Sequence, residues 1–353
     1  MANPLPIFDG HNDVLLRLNG LDDPAPERAF LEGRPRGHLD LPRARAGGFA
    51  GGLFAIFVPS LEEGPGVDAL MSEPPYDIPM PPGLDVTPAQ RTTVRMASIL
   101  FRIERASDGL VKVCRTAADI RASIEAGVLA AVLHIEGAEA IDPDFQMLEV
   151  LHQAGLRSLG LVWSRNNLFG GGVPFRYPSS PDIGPGLTDL GRELVRRCNA
   201  LKVLVDTSHL TEQGFWDVAE VTDAPLVASH SNAHAVCAHS RNLTDRQLAA
   251  IRDSGGLVGV NFATGFLRPD GRRDPDTPLD DVVRHVDHLI EHAGIDCVGI
   301  GSDFDGATVP AAIGDASGLP NLVEALRRRG YDDTTLRKVA HENWLRVLER
   351  TWA

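Results

Sequence analysis

The sequence predicts an α/β fold, a (β/α)8 barrel of parallel strands, on the strength of two observations. Short apolar runs bounded by glycine recur along the chain, and each is followed by a stretch with helical period. Continuous apolar strands that alternate with amphipathic helices are typical of parallel strands covered by helices. Eight such units are present, and eight strands close a barrel. A closed barrel is therefore the leading architecture, and a doubly wound sheet is the alternative.

The strand-like runs and the helices between them follow one another in order. The amphipathic stretches at 185–201, 244–254 and 279–293 are the clearest helices. The tail, 320–353, is interpreted as two helices that close the barrel. The eight runs are LPIFDG (5–10), GGFAGGLFAIFV (47–58), LAAVLHIEG (129–137), LRSLGLVW (156–163), LKVLVDTSH (201–209), PLVASHS (225–231), GGLVGVNFA (255–263) and CVGIGSDFDG (297–306).

The chain length allows either one large domain or two ordinary ones. It has 353 residues, of which 43% are hydrophobic and 23% charged. We expect a single barrel domain over 1–353. The segment at about 60–87 is rich in proline and glycine and lacks a sustained period, which predicts a long loop beside the barrel mouth. Strand-like segments on both sides of this loop argue against a linker between domains.

Composition argues against several classes of protein. Acidic residues outnumber basic ones by 48 to 34 and the arginines are scattered, so no nucleic acid partner is expected. Cys114, Cys198, Cys237 and Cys297 stand far apart without a CxxC pair, which predicts reduced thiols. The sequence shows no secretory signal, no apolar run of roughly 20 residues and no lipid-anchor signal. We therefore expect a cytoplasmic protein with no membrane partner.

Five of the eight runs end in residues that bind metals. Side chains alternate along a strand, so His11 and Asp13 point the same way where the first strand ends. In a barrel, the C-terminal ends of all the strands surround one mouth. Imidazoles and carboxylates gathered there predict a dinuclear site of the zinc type with one shared carboxylate. The other four residues are Glu136 after the third run, His209 after the fifth, His230 after the sixth and Asp303 after the eighth.

Each of these residues also has an ordinary structural interpretation. An isolated His-x-Asp pair is commonly a capping or surface pair, and the histidines of SHL and ASH are no more specific. Glu136 and Asp303 are more suggestive, because burying an unpaired carboxylate after an apolar strand is costly. The coincidence of all six residues at strand ends favours the metal interpretation.

Other polar residues near these runs have open alternatives. His285, His288 and His292 recur at helical spacing before the eighth strand, and helices form the outer ring of a barrel. We interpret them as a solvated or packed helical face. His134 is either an inert core histidine or a partner of the ligands. Asp9 either orients the first histidine or has a structural role at the strand end.

With these residues in view, the chain resembles the renal, or membrane, dipeptidase family of dinuclear zinc peptidases, which belongs with the amidohydrolase-type barrels. The resemblance covers nearly the whole chain. It is carried by the motifs DGHND (9–13), IEG (135–137), DTSHL (206–210), ASHSNAHAVCAHSRN (228–242), GSDFDG (301–306), LPNLVEALRRRGY (319–331) and HENWLRVL (341–348).

The resemblance implies a role for each matching residue. His11 and Asp13 would hold one zinc ion, and Glu136 would bridge two zinc ions per chain. His209 and His230 would hold the second ion. Asp303 would act as acid and base on a hydroxide that bridges the metals, and Arg241 would bind the substrate carboxylate. The last two residues stand in GSDFDG and ASHSNAHAVCAHSRN.

Two positions depart from the pattern of the family. Many members end the fourth strand in a Leu-Thr-His type motif, whereas this chain has Trp163 at that position. Trp163 is expected either to fill space at the mouth or to donate its indole N–H to the substrate. Relatives commonly carry a tyrosine where this chain has Ala263, which predicts a wider substrate pocket.

The function expected from the residues and the resemblance is hydrolysis of dipeptides, with the possibility of a homodimer left open. Two alternatives remain. One is a dinuclear amidohydrolase that acts on another small amide, such as an N-acyl amino acid, or on a lactam or a lactone. The other is a catalytically silent barrel that keeps its metals for structure and binds a small ligand or partner.

Overall fold

A computed structural model of the protein describes residues 4–60 and 67–353. Eight parallel strands form a closed barrel in the order β1, β2, β5, β6, β8, β9, β10 and β11, and β11 pairs with β1. Seven of them lie within predicted runs, and β1 begins in the first run and extends two residues beyond it, so the predicted (β/α)8 fold is confirmed. The described strands are β1 (Ile7–Asn12), β2 (Phe49–Phe57), β3 (Tyr76–Asp77), β4 (Val111–Val113), β5 (Leu129–Glu136), β6 (Leu156–Gly160), β7 (Arg176–Tyr177), β8 (Leu204–Asp206), β9 (Val227–Ala228), β10 (Leu257–Val260) and β11 (Val298–Ile300).

Helices cover the barrel and join successive strands. The described α-helices are α1 (Val14–Asn19), α2 (Pro26–Glu32), α3 (Leu41–Gly47), α4 (Val67–Leu70), α5 (Val86–Ala106), α6 (Ala117–Ala126), α7 (Gln146–Ala154), α8 (Asp189–Ala200), α9 (Glu212–Val221), α10 (Asp245–Ser254), α11 (Thr264–Leu267), α12 (Leu279–Ala293), α13 (Leu319–Arg329), α14 (Asp333–Arg337) and α15 (Asn343–Trp352). One π-helical turn, Lys338–Glu342, connects α14 to α15.

Threonine side chains mark where several of the covering helices begin. Thr116, Thr188, Thr211 and Thr244 each accept a hydrogen bond from the backbone N–H three residues on. This contact satisfies one of the N–H groups that the first turn of a helix leaves free. At α10, Gln247 returns the contact to the backbone of Thr244 and completes a capping box.

The base of the barrel, at the N-terminal ends of the strands, is closed by α15. Trp344 is fully buried and donates its indole N–H to the carbonyl of Ile300, 2.9 Å away. A Cβ atom added at Gly10 would lie 2.3 Å from the indole, and one added at Gly299 would lie 2.6 Å from it. These two glycines therefore leave the space that the indole occupies. Phe8 packs beside it, with ring centroids 6.1 Å apart.

Part of the predicted loop at about 60–87 borders the mouth of the barrel. Its residues 61–66 lie outside the described part of the chain. Further on, β3 pairs antiparallel with β7, and Met71 and Ile78 join an apolar cluster with Phe175. Through this cluster the segment packs against Phe175, which follows β6 in the chain.

The four cysteines are all buried and unpaired. Within 4–60 and 67–353, none of the helices combines the length and the apolar character that crossing a membrane requires.

Candidate metal centre

The six predicted ligand residues come from five different strand ends. His11 is the fifth residue of β1, and Glu136 is the last residue of β5. His209, His230 and Asp303 lie two or three residues beyond the ends of their strands. Parallel strands end at one face of a barrel, so segments far apart in sequence meet there.

One oxygen of Glu136 lies at the centre of three imidazoles. Its Oε1 atom is 2.9 Å from His209 Nε2, 3.3 Å from His230 Nε2 and 3.7 Å from His11 Nε2. The rings of His11 and His230 are stacked, with centroids 3.8 Å apart. All four side chains are buried, so the cluster is largely withdrawn from solvent.

A second group of ligand atoms shares His11 with the first. His11 Nε2 is 3.2 Å from Asp13 Oδ2, and one ligand atom from each of His11, Asp13 and Asp303 lies within 4.8 Å of the others. The same separation limit holds for the group formed by His11, Glu136 and His230. The two groups together offer ligand atoms for two metal ions.

Two residues of the centre have left-handed backbone conformations. His209 has φ of 66° and Asp303 has φ of 60°. Such values are uncommon for residues other than glycine, and they concentrate at functional sites, where surrounding contacts hold them. Both residues lie three positions beyond the last residue of a barrel strand, where this conformation turns the chain.

Hydrogen bonds to the outer nitrogens of two histidines fix their orientation. His209 Nδ1 lies 3.0 Å from Ser164 Oγ, and His230 Nδ1 lies 2.7 Å from Ser229 Oγ. The hydroxyl of Ser229 in turn donates to Asp206. If each Nδ1 carries the proton, both Nε2 lone pairs face Glu136, as metal ligation requires.

These outer partners do not follow from the sequence pattern. Ser164 follows Trp163 directly, and Asp206 and Ser229 stand in the motifs DTSHL and ASHSNAHAVCAHSRN, but their residue types are ordinary ones for strand ends. Asn261 was also missed; its side-chain N–H donates to Asp303 Oδ2 at 3.0 Å. Only proximity to a ligand residue could have singled them out.

Asp9 and His134 had two interpretations each. Asp9 accepts hydrogen bonds from the backbone N–H and the hydroxyl of Ser302, at 2.6 and 2.9 Å. It therefore joins β1 to the end of β11, and this supports the structural role. His134 is fully buried, bonds Ser158 at 2.9 Å and meets the ring of His11 edge-on at 5.5 Å. Its ring contact with a ligand residue supports the interpretation as a partner.

Burial and neighbouring charge set the protonation of the ligand residues. Burial lowers the pKa of His209 and of His230 well below the usual value, and nearby cationic groups add to this. Both imidazoles are consequently neutral at pH 7, the form that binds metals. Burial also lowers the pKa of His11, but the negative charge of Glu136 and Asp13 outweighs it and raises the pKa to about 10. The acidic cluster therefore attracts positive charge.

Burial raises the pKa of two carboxyl groups of the centre. The pKa of Glu136 lies well above its usual value, and that of Asp303 is also raised. The negative charge of neighbouring acidic side chains also raises both pKa values. A cation between these groups would relieve their repulsion.

Arg241 lies beside the ligands and is almost fully buried. Its Nη1 donates to Ser231 Oγ at 2.9 Å and its Nη2 to the carbonyl of His230 at 3.0 Å. Its buried Nε atom has no hydrogen-bond partner among the described residues. Burial lowers its pKa to about 10, so the guanidinium group stays charged at pH 7.

Trp163 packs among aromatic rings at the mouth. Its centroid is 5.0 Å from that of Phe57, 5.6 Å from that of Phe175 and 6.0 Å from that of His209. Ala263 belongs to the same apolar cluster. A barrel mouth that collects imidazoles and carboxylates, with a buried arginine beside them, is typical of metal-dependent hydrolases.

Comparison with known proteins agrees with this class. The sequence matches the membrane dipeptidase family (Peptidase family M19) over residues 1–352. The chain therefore belongs to that family, whose members are metallopeptidases, and it is a peptide-bond hydrolase.

Two solved structures resemble the chain along nearly its whole length. A metallopeptidase from Rhodobacter sphaeroides, bound to a phosphinate mimic of the dipeptide L-Ala-D-Ala, is 55% identical with a TM-score of 0.97; the match covers 99% of this chain and 100% of that one. A metallopeptidase called dipeptidase AC is also 55% identical, with a TM-score of 0.96 and 99% of each chain covered. An uncharacterised protein in the pqqA 5′ region of Klebsiella pneumoniae is 52% identical over 255 residues, which are 72% of this chain and 94% of its own length.

Proposed function

We propose that the protein is a dinuclear zinc dipeptidase. The observation that carries the proposal is the convergence of three imidazole nitrogens on one oxygen of Glu136. In this proposal His11 and Asp13 hold one ion, His209 and His230 hold the other, and Glu136 contacts both.

The chemistry of the donor set fits two cations. His209 Nε2 and His230 Nε2 stand 3.1 Å apart, and each is within 3.3 Å of a carboxylate oxygen. When Nδ1 of each histidine donates its proton to the neighbouring serine, Nε2 can only accept. Each Nε2 atom then faces a carboxylate oxygen that is also an acceptor, so neither can satisfy the other. Asp13 Oδ1 is also buried without a hydrogen-bond partner among the described residues. Nitrogen and carboxylate ligands in this proportion suit zinc.

The two ions, when bound, would supply an activated water and an electrophile for the peptide carbonyl. Asp303 would accept a proton from the attacking water and pass it to the leaving amine. Its burial favours this exchange, because a raised pKa brings the carboxyl group closer to the operating pH. The side chain of Asn261 would hold the Asp303 carboxylate in position through its hydrogen bond.

Arg241 would bind the free carboxylate of the substrate. Its guanidinium group is anchored by Ser231 and by the His230 backbone, directly beside the ligands. A carboxylate held there lies close to the bond that is cleaved, so short substrates are favoured over proteins. The dipeptide mimic bound by the Rhodobacter sphaeroides relative supports dipeptides as substrates.

Metal content and substrate range test the proposal together. We expect close to two zinc ions per chain in the wild-type protein and loss of at least one in Glu136→Gln, because both coordination spheres are weakened. Metal analysis of the dialysed proteins measures this. A Glu136→Gln protein that keeps two ions and full activity would exclude the bridging role.

The substrate range is tested with dipeptides that carry L- or D-residues at the C-terminal position. The C-terminal amide of the best dipeptide is tested as well. The amide lacks the charge that Arg241 would bind, so we expect kcat/KM to fall about tenfold to a hundredfold. Rapid turnover of N-acyl amino acids, lactams or lactones, with dipeptides untouched, would instead favour the other amidohydrolase activity. Metal-loaded protein that is inactive on every substrate would favour a silent binding protein.

A further inference from the structure

A second group of metal-binding side chains lies in the outer layer of helices, away from the barrel mouth. His288 and His292 are one helical turn apart on α12, and Asp245 is the first residue of α10. One ligand atom from each residue lies within 4.8 Å of the other two. The sequence pattern indicated only a solvated or packed face, because Asp245 is 43 residues away from His288 along the chain.

The three side chains already face one another. His288 Nε2 is 2.7 Å from Asp245 Oδ1, and His292 Nδ1 is 3.9 Å from Asp245 Oδ2. The two imidazole rings are stacked, with centroids 4.2 Å apart and planes inclined by 24°. Ligand atoms on one tetrahedral zinc ion, bound at 2.0–2.1 Å, stand roughly 3.3 Å apart. The two distances to Asp245, 2.7 and 3.9 Å, lie below and above this value. Small side-chain rotations would therefore bring the three ligand atoms to the spacing of a zinc site.

We propose that Asp245, His288 and His292 form an additional metal site on the outer face of the barrel. It would bind Zn²⁺ or a similar divalent transition metal through two imidazoles and one carboxylate, with water in the remaining position. This site is separate from the proposed function and does not depend on it. A bound ion would join α10 to α12 and thereby stabilise the outer layer.

The surroundings leave these three side chains available to an ion. His288 and Asp245 have side chains that are 17% and 47% exposed. His285, the third histidine of the pattern, turns inward and bonds the carbonyl of Leu267 at 3.0 Å. The nearby Arg252 is paired with Asp253. The capping box between Thr244 and Gln247 fixes the backbone on which the aspartate stands.

Zinc binding to the intact, active-site-loaded enzyme tests the proposal. We expect the wild-type protein to bind one Zn²⁺ more per chain than His288→Gln or His292→Gln in equilibrium dialysis or calorimetry. Loss of an outer partner already weakens metal binding about 10- to 100-fold, so removal of a ligand should weaken it by at least that factor. His152→Gln, which removes an imidazole from α7, is the matched control and should keep the additional ion.

Two further measurements separate this site from the barrel mouth. Excess Zn²⁺ should raise the melting temperature of the wild type and of His152→Gln, and should raise that of His292→Gln less. Dipeptidase activity at saturating active-site metal should be the same in all of these proteins. Equal zinc stoichiometry and equal affinity in the wild type and both α12 variants would overturn the proposal, whatever the mouth of the barrel contains.

Discussion

The two ends of the barrel bury side chains of opposite character, although the same strands supply both. On β1, Phe8 packs against Trp344 at the base, and His11 lies three residues later in the cluster at the mouth. The base is apolar, and the hydrogen bond of its indole is satisfied. The mouth is buried as well, yet it gathers carboxylates with raised pKa values and a guanidinium group whose Nε–H has no acceptor within residues 4–60 and 67–353.

This contrast predicts which end stabilises the fold and which end carries out the chemistry. Apolar burial at the base is favourable without any ligand. Buried charge at the mouth is unfavourable until something compensates it. The left-handed backbone of His209 and Asp303 adds strain at the same end. Substitutions at the mouth should therefore reduce activity with little loss of stability, and substitutions at the base should do the reverse.

Asp303→Asn is expected to give the largest effect. Removing the proton carrier should lower kcat on the order of 10²- to 10⁴-fold. Asparagine tolerates the left-handed backbone about as well as aspartate, and its side-chain oxygen can still accept from Asn261. The melting temperature of the metal-free protein should stay the same or rise, because burial disfavours the charge that is removed.

Steady-state kinetics and thermal unfolding measure these two outcomes. Asp305→Asn is the matched control, since Asp305 stands two residues further on and also has a left-handed backbone, with φ of 67°. Its kcat should remain close to that of the wild type. A wild-type kcat for Asp303→Asn would show that the acid and base role is wrong.

Trp344→Ala, at the base, should reduce stability and leave kcat nearly unchanged. It removes a fully buried indole that two glycines accommodate, so the free energy of unfolding should fall by about 3–5 kcal/mol. The kcat of the protein that remains folded, measured well below its melting temperature, should be close to normal. Trp344→Phe keeps much of the ring and should lose less. A stable Trp344→Ala protein with greatly reduced kcat would contradict the division between the two ends.

Asp206→Asn tests whether the hydrogen bonds behind His230 support metal binding at the mouth. Asp206 accepts from the backbone N–H and the hydroxyl of Ser229, and that hydroxyl contacts His230. An amide nitrogen facing Ser229 cannot accept these bonds, so the orientation of His230 should loosen. Metal affinity, measured by competition with a chelator, should fall about 10- to 100-fold. The control is Asp217→Asn, a buried carboxylate on α9 that pairs with Arg192. If both variants bind metal equally well, the hydrogen bonds from Asp206 through Ser229 to His230 do not support the site.

The sequence was sufficient to predict the barrel and the convergence of the six candidate ligand residues. Each barrel strand begins in a short apolar run, six of the eight runs contain glycine, and the count of eight favours a closed barrel in which the strand ends meet. Glu136, for example, ends a run of eight buried residues. Local patterns of this kind require no information about neighbouring strands.

Contacts between segments could not be predicted in the same way. Asp9 was placed on the face of His11, but its partner is Ser302, 293 residues later. The association of Asp245 with His288 depends on how two outer helices pack. Periodicity determines which face of an element is buried, whereas the partner on that face depends on register and helix packing.

Trp163 combines features of both ends of the barrel. Like the base, it packs in an apolar cluster, with Phe57 and Phe175 as close neighbours. Like the mouth, it approaches a candidate ligand residue, His209, with ring centroids 6.0 Å apart. The aromatic contacts favour a space-filling role, whereas a donor role would require the indole N–H to face the substrate.

Trp163→Phe distinguishes these roles, because phenylalanine keeps most of the bulk and deletes the N–H. We expect kcat to fall less than about tenfold, or under roughly 1.4 kcal/mol, since the metal ions would polarise the carbonyl without help from the indole. Loss of an essential donor to a developing oxyanion costs roughly 2.7–4 kcal/mol in other enzymes, which corresponds to a hundredfold or more. Kinetics at equal metal content measure the difference, with Trp216→Phe on the outer helix α9 as the control. A hundredfold fall confined to Trp163→Phe would assign Trp163 to the chemistry of the mouth rather than to its packing.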